Sequence, residues 1–88
     1  MAEHDARMVA LVLDVASETL GRGRRLTAST RLLDLPACDS LAIATLVERL
    51  EDRLHREIAP ELIVPETFTT PSTIASALLS GGGISWHE

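Results

Sequence analysis

The chain has 88 residues, 45% of them hydrophobic but with one Phe, one Trp and no Tyr, and a formal charge of −5. That length makes one small domain whose core is only just sufficient. The negative charge argues against a nucleic-acid partner, whose phosphates require a basic surface. With so few aromatics and no useful alternating run, the core must be built from Leu, Ile, Val and Ala, which favours helices over a sheet. The longest apolar stretch, Met8 to Leu13, is far too short to span a bilayer. One cysteine, Cys38, allows no internal disulfide and no metal cluster, and the polar start Met1-Ala-Glu-His-Asp has no signal peptide. Together these point to a cytoplasmic protein with no membrane partner.

In chain order, the first helix is predicted over Glu3–Leu20. Met8, Val12, Val15 and Thr19 fall on one line, with Val9, Leu13, Ala16 and Leu20 beside it, and Gly21 suits the residue just past the last turn. From Gly21 to Asp39 runs a connection unusually long for so small a domain. Its second half is too apolar for a solvated linker, so Leu32, Leu33 and Leu35 are expected to pack across the bundle. The Arg22, Arg24, Arg25 cluster reads as a solvated loop beside a helix C-terminus, where the dipole is favourable.

The second helix begins at Ser40 and is expected to end near His55 or Glu57. Ile43, Leu46, Val47, Leu50 and Leu54 form one apolar stripe at helical spacing. Leu41 does not belong to it: at roughly 100° per residue it points about opposite the stripe. After this helix, three prolines within 58–71 leave room for one brief helical turn, with Ile58, Leu62, Ile63 and Phe68 as core contributions. A final helix opens at Pro71 or Ser72 and carries Ile74, Ala75, Ala77, Leu78 and Leu79, with Ser72 as cap and Gly81 as stop. Residues 81–88 read as a flexible C-terminal tail in which Trp86 is exposed. The expected fold is all-α: three main helices plus one short helix with a long first loop, over residues 1–80.

Catalysis by this chain alone is not expected. The nearest downstream histidine to Ser40 is His55, and fifteen residues of helix separate the two by roughly 22 Å, too far for a nucleophile and its base. Cys38 stands close to a helix N-terminus, which lowers thiol pKa, yet a lone thiol with no basic neighbour is more often a packing residue. Glu48, Glu51 and Asp52 read as a solvated helix face, and no phosphate loop or metal-ligand spacing exists. What needs an explanation is Asp39-Ser40-Leu41, a serine and an outward leucine side by side on an exposed first turn. For Asp39-Ser40 alone, helix capping is a sufficient reason.

The surrounding motifs change that. From about Met8 to Leu79 the chain resembles the acyl carrier and peptidyl carrier protein family, free-standing type. Ser-Thr-Arg-Leu-Leu-Asp-Leu (29–35) resembles the family's approach to its serine, and Asp39-Ser40-Leu41 the attachment motif at the start of the second helix. Leu46-Val47-Glu48-Arg49-Leu50-Glu51 resembles that helix. Glu57-Ile58-Ala59-Pro60 and Val64-Pro65-Glu66-Thr67-Phe68-Thr69-Thr70 resemble the linker, and Ile74-Ala75 the apolar pair of the last helix. The family usually has a Gly and an apolar residue before the aspartate; here Pro36-Ala37-Cys38 fills a gap that looks one residue longer.

The resemblance implies a non-catalytic carrier whose Ser40 holds 4'-phosphopantetheine and, through it, acyl or aminoacyl thioesters. It implies a phosphopantetheinyl transferase, an adenylating enzyme or acyltransferase for loading, and downstream synthase or tailoring enzymes as partners of a monomeric carrier. Asp39, Leu41, Ala44, Thr45, Glu48 and Asp52 surround the attachment point and are expected to dock them, Leu41 as apolar anchor and the acids as steering charges. Arg49 and Arg53 alternate with Glu48 and Asp52, an outer face less acidic than that of carriers of primary fatty-acid synthesis. This mixture, with the Pro-Glu-Thr-Phe linker, favours polyketide or nonribosomal peptide biosynthesis. The competing reading is a small helical adaptor in which Leu41 binds protein and Ser40 only caps its helix.

Overall fold

The computed structural model describes residues 3–21 and 23–80. It is all-helical, with α1 at Glu3–Ala16, α2 at Ser40–Leu54 and α3 at Pro71–Leu79. Short 3₁₀ turns stand at Leu32–Asp34 and Pro60–Leu62, and no strand is present among the described residues. The tail, the Gly81 stop and Trp86 lie outside the described residues.

The first helix ends differently from its prediction. α1 gives way after Ala16 to a π-helical turn, Ser17–Gly21. Within it Thr19 Oγ1 donates to the Val15 carbonyl at 2.9 Å, a side-chain bond that competes with the backbone ladder and bends helices. Gly21 is buried inside this turn, and the reversal falls instead on Gly23, whose φ of 86° suits a residue without a Cβ. The Arg24 N–H then donates back to the Gly21 carbonyl at 2.9 Å.

Val12, Val15, Ala16 and Leu20 bring the inward face of α1 against Leu46, Val47 and Leu50 of α2 and Ile74, Ala75 and Leu78 of α3, with Phe68 among them. α1 packs most extensively on α3. Two ion pairs, Glu18–Arg49 and Asp14–Arg53, run in opposite sequence directions, so α1 and α2 are antiparallel. α2 stops where His55 takes a left-handed conformation with φ 56°, its N–H closing on the Glu51 carbonyl. Glu51 was expected on a solvated face, yet its Oε2 accepts the Ile58 N–H at 2.8 Å and ties the chain beyond the helix to it.

The long first loop is built into the core. Leu32 is fully buried, and Leu26, which its arginine-rich surroundings concealed, is buried too. The Leu32 N–H donates to the Thr69 carbonyl at 2.8 Å, and the Ser72 N–H donates to Ala28 at 3.0 Å, lashing the loop to the start of α3. The expectation failed for Leu33 and Ile63, which are 43% and 41% exposed. Each directly neighbours a core-facing position on a short 3₁₀ turn or its exit, where consecutive residues diverge and one must face out.

The cap of α3 is Thr70 rather than Ser72. Thr70 Oγ1 accepts the Thr73 N–H at 3.0 Å while Thr73 Oγ1 accepts the Thr70 N–H at 2.9 Å, a reciprocal capping box with Pro71 at the first helical position. Thr70→Ala is expected to cost about 1 kcal/mol of unfolding free energy, as lost caps do. Ser72→Ala, at an exposed position, should stay within about 0.5 kcal/mol. Urea denaturation of both variants decides which residue caps; the reverse order would contradict the geometry.

Candidate functional site

Ser40 is the first residue of α2 and is exposed. Asp39 is the cap: its Oδ1 accepts the Ala42 N–H at 2.8 Å, and its own carbonyl accepts the Ile43 N–H at 3.0 Å. This division of labour removes the capping explanation for the serine. Ser40 Oγ has no hydrogen-bond partner among the described residues, and an N-terminal dipole with free backbone N–H groups lies beside it.

Leu41 is 76% exposed, the most exposed of the large apolar side chains described. Leu41, Thr45, Glu48 and Asp52 fall at i, i+4, i+7 and i+11 along the outer side of α2. Ala44, Glu48 and Asp52 are exposed, while Thr45 is half-buried and spends its hydroxyl on the Leu41 carbonyl at 3.0 Å. The arginines do not share this stripe. Arg49 Nη1 reaches Glu18 at 3.9 Å and Arg53 Nη1 reaches Asp14 at 3.2 Å, so both turn aside to α1. Glu48 and Asp52 thus line the outer stripe, while the half-exposed Arg49 and Arg53 beside them lean towards Glu18 and Asp14.

The unusual Pro36-Ala37-Cys38 approach is a tight turn. The Cys38 N–H donates to the Leu35 carbonyl at 3.0 Å, which sets Pro36 and Ala37 at the two central positions, and proline's fixed φ suits the first of them. The Asp39 cap follows directly on this turn. Cys38 is half-buried in this corner. Burial, aided by the adjacent Asp39 charge, pushes its thiol pKa up, the opposite direction from an activated thiol. The thiol is a packing group.

A cleft of ≈ 440 Å³ opens beside Ser40, lined by Leu33, Ile43, Ile63 and Val64 together with Cys38 and Asp39. Leu33, Ile63 and Val64 are the residues that sequence reasoning missed. Their partial exposure follows from the two short 3₁₀ segments, whose side-chain directions carry no strong periodic signal. Among the described residues no group of His, Cys, Asp or Glu could hold a metal ion, and none of the described helices is long and apolar enough to cross a membrane.

The described residues thus form a small helical bundle that presents an unengaged serine at an exposed helix N-terminus, next to an open apolar cleft. Residues 10–78 match the family model described as phosphopantetheine attachment site, and the chain belongs to that family. It is a carrier domain, non-catalytic, bearing phosphopantetheine and serving a phosphopantetheinyl transferase and loading enzymes. Comparison with curated proteins and with solved structures returns no match.

Two measurements check this geometry. Asp39→Ala should lose about 1 kcal/mol of stability as a missing cap does, whereas Ser40→Ala should stay within about 0.5 kcal/mol; a larger loss at Ser40 would restore the serine to the capping role. Alkylation of Cys38 in the native state should follow a pH midpoint above that of an unfolded control, because the raised pKa leaves less thiolate at any given pH.

Proposed function

We propose that Ser40 Oγ is the atom that bears 4'-phosphopantetheine, and that the chain carries acyl or aminoacyl thioesters in the cytoplasmic assembly of a polyketide or nonribosomal peptide. The observation that carries the Ser40 assignment is the freedom of its hydroxyl: Asp39 caps the helix, and nothing described holds the serine. The residues fit the group. A phosphodiester at this position meets a helix N-terminus, where backbone N–H groups and the dipole favour an anion, and the Asp39 carboxylate is already turned to the Ala42 N–H. The arm supplies the thiol on which cargo is held as a thioester. The chain's own residues root it at Ser40, give its near end an apolar surface at Leu33, Ile63 and Val64, and leave its far end free to visit enzymes at high effective concentration.

Docking is assigned to the outer stripe of α2, with Leu41 as the apolar anchor and Asp39, Glu48 and Asp52 as steering charges beside Ala44 and Thr45. Support for the pathway is the Val64-Pro65-Glu66-Thr67-Phe68 segment and the Pro36-Ala37-Cys38 departure from the usual approach. Arg49 and Arg53 give that reading no weight, since both are engaged with α1.

Incubation of the apo protein with coenzyme A and a broad-specificity transferase should add the mass of one phosphopantetheine, and Ser40→Ala should abolish the addition. Modification that persists in Ser40→Ala would assign the arm to another residue. The same intact-mass measurement on protein from its native host reads the cargo. An unreduced poly-β-keto or an aminoacyl thioester agrees with the pathway proposed, and an unbranched saturated acyl series contradicts it.

A further inference from the structure

A second groove, of ≈ 550 Å³, shares no lining residue with the cleft beside Ser40. On one side α1 contributes Ala10, Leu13 and Asp14; on the other, the loop contributes Arg24, Arg25 and Leu26. The charge within it is lopsided. Asp14, its one lining acid, is engaged by Arg53 at 3.2 Å. Arg31, Arg49 and Arg53 each pair with a carboxylate, whereas Arg24 and Arg25 are exposed and form no ion pair among the described residues. Two unengaged guanidinium groups thus stand over an apolar floor in a chain whose formal charge is −5.

The backbone that carries the two arginines is fastened on both sides. Gly23, at φ 86°, folds the loop back on α1, and the Arg24 N–H is bonded to the Gly21 carbonyl. Leu26, one residue beyond Arg25, is anchored in the core. A basic pair pinned between two such points loses less entropy on binding than one on a free loop.

We propose that this groove is a second docking surface, for a segment of a partner protein that carries an apolar residue among acidic ones. The partner's carboxylates meet Arg24 and Arg25, with the bidentate geometry open to guanidinium groups, and its apolar side chain sits on Leu13 and Leu26. The chain then presents opposite charges on two faces. The acidic stripe of α2 selects basic surfaces, and the groove on α1 selects acidic ones, so one enzyme can retain the carrier while another works at the α2 end.

The test is an NMR titration of ¹⁵N-labelled protein with a helical peptide composed of leucine and glutamate. Saturable shifts are expected at Leu13, Ser17 and residues 23–26, with affinity falling by at least about tenfold in Arg24→Glu/Arg25→Glu and falling as salt is raised. A chain of this net charge repels an acidic peptide except through a local basic site, which makes the readout selective. The proposal is overturned by no binding, by shifts centred on α2, by affinity indifferent to the double charge reversal, or by a leucine and lysine peptide that shifts the same groove residues with equal affinity. It is equally overturned if the groove shifts appear without peptide as protein concentration rises, since the occupant is then a second copy.

Discussion

The loop between α1 and α2 sets the position of everything that concerns function, and its hold is the burial of Leu32. That side chain is completely enclosed, and its N–H is bonded to Thr69 at the threshold of α3. A fully buried leucine contributes roughly 2–3 kcal/mol, which is comparable to a large share of the stability available to so small a domain. From this point the chain has only the Leu35–Cys38 turn before it becomes α2. Leu33 is thereby placed at the cleft, Cys38 at its corner, and Asp39 where its carboxylate meets the Ala42 N–H. The serine follows from these constraints rather than from any contact of its own.

Charge placement is the second constraint, and its effect is on recognition more than on stability. The Glu18–Arg49 and Asp14–Arg53 pairs are about half exposed, so each is worth at most about 1 kcal/mol. Their consequence is spatial. By drawing two arginines from α2 towards α1, they leave Glu48 and Asp52 unopposed beside Leu41. The second pair also occupies Asp14, the one acid that lines the groove of Arg24 and Arg25.

The sequence foretold the features that periodicity and capping chemistry encode over several turns. The apolar stripe of α2, the outward Leu41 and the helical start at Asp39-Ser40 all needed only 3.6-residue geometry. What it hid were features decided by a single neighbour in space. Leu26 gave no signal among arginines, yet the reversal at Gly23 folds it into the core. Leu33 and Ile63 looked like core because they are apolar, but a 3₁₀ segment buries only part of its side chains. Thr70 and Ser72 are both acceptable caps by type, and only the reciprocal bonds with Thr73 decide between them. The signs of α2 looked mixed for the same reason: a linear string shows adjacency, while ion pairing with α1 depends on a partner thirty or more residues away.

These constraints bear on why an attachment module needs a rigid scaffold at all. A serine in a disordered segment would also be accessible to a transferase. It would not, however, present a fixed helix N-terminus to the phosphate, nor keep Leu41 and its acidic neighbours at a constant angle to the arm's root. Partner enzymes that must receive a thioester at a buried site need both the surface and the root in register, because a misplacement of about 1 Å at the reacting atoms can cost a hundredfold in rate. The Asp39 cap serves that register by fixing the first turn while leaving Ser40 Oγ unengaged. A serine that capped its own helix would fix the turn equally well, but its hydroxyl would give up that hydrogen bond on modification, and the helix would loosen at the moment the arm arrived. If the arm is rooted at Ser40 as proposed, a cap on the preceding residue lets the same helix end be both rigid and open to modification.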